Sequence, residues 1–174
     1  MNKRTIKYDE YKKLVQGICR DISVSNWTPD YIVGITRGGL LPAVMISQYF
    51  NIPMWTLKVS LRDDGDQESN CWMAEDAYGY NAAEVGDPCC KNILLVDDIN
   101  DTGATFNWIM EDWRSNCLPN DARWNHVWNQ NVKFAVVTDN LASKCNVKMD
   151  FCGEEINKAE NDVWIEFPYE EWWK

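Results

Sequence analysis

A chain of 174 residues, 45% hydrophobic and 25% charged, has the mass for one domain with a full core, and its composition excludes a mostly disordered protein. Seventeen Lys and Arg against 27 Asp and Glu leave a net charge of −10, which argues against a nucleic-acid or anionic-membrane surface, where cations supply most of the affinity. A small phosphorylated ligand remains compatible with that balance, because a divalent ion inverts the local field. No stretch approaches the ~18 apolar residues of a membrane span, and the start, MNKRTIKYDEYKK, has no apolar signal core. The expected location is the cytoplasm.

In chain order, Tyr11, Leu14, Val15, Ile18 and Ile22 share one helical face, predicting a helix over Tyr8 to Ile22. A loop with Pro29 leads into YIVGIT, 31–36, a short β-branched run of the kind found in buried strands. Arg37-Gly38-Gly39 ends it, and an apolar helix follows from Leu40 to Phe50, with Pro42 tolerated in the first turn. Residues 53–60 read as a second strand.

From Arg62 to Lys91 the character changes: eight acids, no Lys or Arg between the ends, and Gly65, Gly79, Gly86 and Pro88 as interruptions. This segment reads as a long acidic surface excursion, a mobile and poorly packed lid or hairpin over 61–91. NILLVDD then gives a third strand running into two acids, a turn spans Asn100 to Thr105, and Phe106, Ile109, Met110 and Trp113 form the stripe of a helix. Residues 116–131 read as an irregular insertion. Val132 to Thr138, a weaker Val147 to Cys152 and a short Val163 to Phe167 complete the strands. Strands alternating with helices predict a single α/β domain over 1–174 with a mostly parallel central sheet flanked by helices. The seven cysteines contain no CxxC and accompany one histidine, His126, so they read as reduced thiols, mostly buried, and neither zinc binding nor Ser-His-Asp or Cys-His catalysis is expected.

Ligands of parallel α/β sheets gather beyond the carboxyl ends of the strands. Two candidate sites stand at such ends, TRGG after the first strand and DDINDTGAT after the third. Gly103 permits a turn in which consecutive N–H groups converge on an anion, and the following helix adds partial positive charge. Asp97 and Asp98 suit the opposite chemistry, accepting hydrogen bonds from a diol and holding Mg²⁺. Together they imply a ligand with hydroxyls and phosphate, plus a metal. DDIND satisfies the DDxxD pattern of isoprenoid synthases, but those acids lie on helices. A haloacid-dehalogenase-type phosphatase needs an acid where Ile99 stands, and no GxxxxGK[ST] occurs.

The string ILLVDDINDTGAT resembles the diphosphoribosyl-binding signature of the type I phosphoribosyltransferases. YIVGITRGGLLPA is similar to the first strand and diphosphate loop of their purine salvage branch, and DVWIEFPYEEW to the Trp-Ile-Glu-x-Pro ending of the bacterial xanthine-guanine enzymes. The resemblance runs from about Tyr8 to Trp172. It implies the type I fold with a mobile hood loop, Mg²⁺ as cofactor, and transfer of ribose 5-phosphate from phosphoribosyl diphosphate to guanine, xanthine or hypoxanthine. Asp97 and Asp98 would then hold the ribose hydroxyls, with Asp98 also near the metal. Asp101 would act as general acid or base at the purine ring nitrogen, and Thr102, Gly103, Ala104 and Thr105 would hold the 5-phosphate. Arg37, Gly38 and Gly39 would grip the diphosphate, while Trp164 and Ile165, in a C-terminal segment over 163–174, would face the base.

Two departures from the family stand out. Its lysine for the 6-oxo group falls on Asp139. Either Lys144 takes its place, the favoured reading, or Asp139 points away, or the acceptor carries an amino group there, as adenine does. Arg62 is the one basic candidate in the hood segment. The ten tryptophans, Trp172 and Trp173 among them, suggest an apolar interface and a homo-oligomer. A non-catalytic regulator that binds phosphoribosyl diphosphate on the same fold is the rival reading.

Overall fold

The computed structural model describes residues 2–59, 71–79 and 89–174. In chain order the elements are β1 (Asn2–Thr5), α1 (Tyr8–Val24), β2 (Tyr31–Thr36), α2 (Leu40–Phe50), β3 (Met54–Lys58), α3 (Cys71–Tyr78), β4 (Ile93–Asn100), α4 (Ala104–Asn116), a 3₁₀ turn (Ala122–His126), β5 (Val132–Asn140), β6 (Phe151–Ile156) and β7 (Val163–Glu166). Five strands form one sheet in the order β3-β2-β4-β5-β6, with every pairing parallel. The expected α/β class and parallel sheet are what the chain forms.

Side chains alternate across a strand, and the apolar runs of β2, β4 and β5 feed both faces. Val33, Ile35, Ile93, Leu95, Phe134 and Val136 pack with Phe106, Ile109 and Trp113 of α4. Ile32, Leu94, Val96, Ala135 and Val137 pack with Tyr11, Val15 and Ile18 of α1 and with Ala43 and Ile46 of α2. The sheet is therefore covered on both sides, which explains why its central strands read as continuous apolar runs.

Three expectations need correction, and one strand carries no signal in the sequence. The acidic excursion is not a bare lid: residues 71–78 form α3, and Met73, Ala74, Ala77 and Tyr78 are buried in the α4-side core. Its apolar residues are few, but at positions 73, 74, 77 and 78 they have helical spacing that the surrounding acids obscured. Arg62 and the expected hood segment around it lie outside the described residues. The strand expected at 147–152 starts instead at Phe151. Before it, Asp150 Oδ2 accepts from Phe134 N and from Asn129 Nδ2, both at 2.9 Å, and these bonds anchor the approach to the strand. The polar β1 pairs in parallel with β7, from Asn2 beside Val163 to Thr5 beside Glu166; four residues without an apolar period gave no signal. Finally, only Cys19 and Cys117 of the seven free thiols are fully buried.

The 116–131 insertion is held by aromatic packing. Trp124 is buried, donates from Nε1 to Cys117 O at 2.7 Å and stacks on Trp128 at 5.3 Å, while His126 is exposed. Among the described residues no helix is long and apolar enough to cross a membrane.

If α3 belongs to the core, Met73→Ala leaves a cavity and lowers the unfolding free energy by about 2–5 kcal/mol. Chemical denaturation followed by tryptophan fluorescence measures it; a detached segment would give a change below ~0.5 kcal/mol.

Candidate active site

All five strands of the sheet run in one direction, so β2, β4, β5 and β6 deliver their C-terminal ends to a single edge. A cleft of about 710 Å³ opens there. Of the residues singled out in the sequence, Arg37, Gly38, Asp97, Asp98, Asp101, Thr102, Gly103, Ala104, Thr105, Trp164 and Ile165 line it together. Gly39 caps α2 just behind.

The turn after β4 is shaped for an anion. Gly103 has φ of +85°, and a Cβ there would lie 2.3 Å from Cys145 N, so only glycine fits both the left-handed backbone and the close approach. It is the N-cap of α4, whose first residues, Ala104 and Thr105, line the cleft at the positive end of the helix dipole. Residues 143–146 brace the turn from behind. Lys144 N donates to Thr102 O at 3.1 Å, and Asn107 ties the helix to this segment by donating to Lys144 O at 3.0 Å and accepting from Asn146 N at 2.8 Å. Lys144 itself is exposed and does not line the cleft. The expected substitute for the family lysine is a backbone brace.

Asp97 and Asp98 stand in the last half of β4, which extends to Asn100 and so carries both acids within the strand. Burial pushes both carboxyls above the usual carboxylate range, and their mutual repulsion adds to the effect at Asp97. Tyr169 opposes it at Asp98, donating to Oδ2 at 2.5 Å. Tyr169 stacks on Phe167 at 5.8 Å and meets Tyr11 edge-on at 6.2 Å, so the C-terminal segment is locked to the acid it supports. Gly38 lies directly against the same carboxylate: a Cβ at position 38 would stand 2.0 Å from Asp98 Oδ2. The diphosphate-loop candidate and the acidic candidate are in contact.

The cleft also holds residues the sequence reading did not single out. Lys158, two residues past β6, pairs with Asp101 Oδ1 at 2.8 Å. Lys58, at the end of β3, also lines the cleft. Asp139 points elsewhere, accepting from Asn100 Nδ2 at 2.8 Å. Lys158 sits in the loop INKAEND and Tyr169 in a run of aromatic and acidic residues; neither carries a local pattern, and only the folded chain brings them to the site.

Two adjacent, partly buried carboxylates, a glycine turn at a helix start and an arginine loop can together hold a sugar bearing phosphates. Among the described residues no cluster of three or more His, Cys, Asp and Glu is placed to hold a metal alone. The Asp97–Asp98 pair fits a divalent cation that takes its remaining oxygens from a substrate and water, the usual mode for Mg²⁺.

The phosphoribosyl transferase domain family matches residues 7–171. The chain is 27% identical over 124 residues to xanthine phosphoribosyltransferase 1 of Saccharomyces cerevisiae, covering 62% of this chain and 58% of that protein. It is 27% identical over 140 residues to the xanthine-guanine phosphoribosyltransferase of Idiomarina loihiensis, covering 80% and 70%. The fold is similar to that of a purine phosphoribosyltransferase from Pyrococcus horikoshii, with a TM-score of 0.65 at 21% identity over 98% of this chain and 96% of that one. The strand-end cleft, its glycine turn and its acid pair thus stand on the chain length that the family covers, and the chain belongs to the phosphoribosyl transferase domain family, a family of enzymes.

Proposed function

We propose that the chain transfers ribose 5-phosphate from phosphoribosyl diphosphate to a purine base and releases diphosphate. The single observation that carries this reading is that TRGG, the acid pair and the DTGAT turn meet in one cleft with Trp164 and Ile165. A bisphosphorylated sugar needs two anion sites flanking a diol site, and a flat heterocycle needs an aromatic wall beside them. The names of the relatives, xanthine and xanthine-guanine phosphoribosyltransferases, support a purine as the acceptor.

Each residue then has a task. The Thr102–Thr105 turn and the start of α4 take the 5-phosphate. Asp97 and Asp98 accept hydrogen bonds from the ribose hydroxyls. Arg37 takes the diphosphate through its guanidinium, suited to paired hydrogen bonds with phosphate oxygens. Asp98 also holds Mg²⁺, which when bound supplies a Lewis acid to the departing diphosphate. Asp101 accepts the proton that the base loses as its ring nitrogen bonds the sugar. Tyr169 keeps Asp98 oriented throughout.

In a titration calorimeter, phosphoribosyl diphosphate with Mg²⁺ binds with a dissociation constant on the order of micromolar, and a chelator weakens it strongly. Asp101→Asn keeps that binding but lowers diphosphate release in the presence of guanine or hypoxanthine by about 10²–10⁴-fold. Binding with no diphosphate release from the wild-type chain, whatever purine is supplied, would instead select the non-catalytic regulator.

Gly38→Ala forces a methyl group against Asp98. We expect it to abolish binding of the Mg²⁺–phosphoribosyl diphosphate pair. Circular dichroism should still show a folded α/β protein, since the clash falls at the cleft and not in either core. Unchanged affinity would mean the two loops do not act as one site.

A further inference from the structure

Lys144 N donates to Thr102 O at 3.1 Å, and that bond fixes more than the carbonyl. The peptide bond between Thr102 and Gly103 is trans, and in a trans peptide the C=O and the N–H point in opposite directions. Lys144 lies outside the cleft, whereas Gly103 is buried and lines it. With the Thr102 carbonyl drawn back toward Lys144, the Gly103 N–H is turned forward. It donates to no protein acceptor among the described residues, while the neighbouring Ala104 N–H already rests on Thr102 Oγ1 at 3.3 Å. A buried amide without an acceptor is unfavourable until a ligand supplies one.

This direction lasts only while Lys144 keeps its place, and two groups of bonds keep it there. From the strands, Ser143 N donates to Asn140 O at 2.8 Å. Ser143 Oγ donates to Asn100 Oδ1 at 3.0 Å and accepts from Cys145 N at 3.1 Å. From the helix comes Asn107, one turn past Gly103, whose own N–H closes on Gly103 O at 3.0 Å. Its side chain uses both ends of the amide: Nδ2 donates to Lys144 O at 3.0 Å, and Oδ1 accepts from Asn146 N at 2.8 Å. Residues 144 and 146 are thus gripped on either side of Cys145, the residue whose N approaches Gly103 too closely for any Cβ.

We infer that Asn107 is a positioning residue for the 5-phosphate, acting through residues 144–146 and the Thr102 carbonyl to aim the Gly103 N–H into the cleft. This rests on the transferase reading, in which the turn takes that phosphate, and names the side chain that sets the direction of its donor. The positive end of α4 attracts an anion without orienting it. A hydrogen bond weakens steeply as its angle closes, so the aim of the amide decides how much the turn contributes. An amide held in place before the ligand arrives also loses little freedom on binding.

Ribose 5-phosphate is the probe, because it carries the sugar and the phosphate without the diphosphate or the base. In a chain isotope-labelled at its nine glycines, the Gly103 amide proton resonance moves downfield as the probe is added, the response of a donor taken up by an anionic oxygen. Asn107→Leu loses most of that movement and raises the dissociation constant for ribose 5-phosphate by about 10–100-fold. Magnesium diphosphate, which does not use the turn, binds within about twofold of wild type. In turnover, KM for phosphoribosyl diphosphate rises by about 10–100-fold while kcat changes by less than about threefold. Asn107→Asp still accepts from Asn146 N but cannot donate to Lys144 O, and it loses the Gly103 movement as Asn107→Leu does. The Gly17 and Gly34 signals, in α1 and β2, report that the fold is kept. If Asn107→Leu does not fold, the wild-type movement and Asn107→Asp decide the matter.

Ribose 5-phosphate that binds the wild type without moving the Gly103 signal overturns the inference and leaves the transferase reading intact. Wild-type affinity for the probe in folded Asn107→Leu does the same. A Gly103 movement that depends on Asn107, in a chain that releases no diphosphate with any purine, overturns the transferase reading and leaves the positioning role standing.

Discussion

Parallel pairing of β2, β4, β5 and β6 forces four strands to end at one edge, and each connection that starts there has to turn away over the same patch of surface. That constraint assembles the cleft. Arg37 follows β2, Asp101 to Thr105 follow β4, Asn140 closes β5, and Lys158 follows β6. Each belongs to a different stretch of chain, and none is near another in sequence except within the β4 loop. The helices hold the strands in register by filling both faces with the alternating side chains of the same apolar runs. Catalytic geometry in such a protein depends on core packing, because a shift of one strand moves one contributor relative to the others.

Charge is managed locally in a chain whose overall balance is strongly acidic. Asp97 and Asp98 are forced together by the chain and raised by burial, so the folded protein holds an acid pair whose full ionisation is opposed. Tyr169 moderates this at Asp98 through one short hydrogen bond. The opposite arrangement stands across the cleft, where Lys158 meets Asp101 directly. The cleft thus carries an adjacent acid pair and, separately, a preformed ion pair. Arg37 is exposed and lines the same cleft.

The C-terminal segment shows how remote parts are tied together. β7 is anchored by β1, with Lys3 Nζ on Glu166 Oε1 at 2.5 Å and Thr5 Oγ1 donating to Glu166 Oε2 at 2.7 Å. From that anchor Trp164 reaches the cleft, and a few residues later Tyr169 reaches Asp98. Trp164 at the cleft and the carboxylate of Asp98 are consequently held by one short piece of chain, braced by the first strand of the protein.

Much of this was legible in the residues alone. YIVGIT and ILLV carry their strand identity in β-branched and aliphatic runs, the α1 and α4 stripes carry theirs in helical spacing, and DDINDTGAT states its chemistry in nine consecutive residues, because a glycine turn between acids and a helix start is a local device. The elements that stayed hidden were those defined by partners distant in the chain. NKRT becomes a strand only by pairing with Val163–Glu166, and CWMAEDAY becomes a core helix only by packing on α4. Asp139, aligned with the family lysine, bonds Asn100 across the β4–β5 pair, and Lys144, expected in its place, serves as a backbone brace. Lys158 has no pattern around it at all; its position follows from the β5–β6 register and the amide of Asn140. The sequence by itself determined the central strands β2, β4 and β5, the glycine turn and the acid pair, since these follow from propensity and spacing within a few residues. The tertiary structure alone decided that Lys158 meets Asp101 at the cleft, since that depends on three strand ends meeting in space.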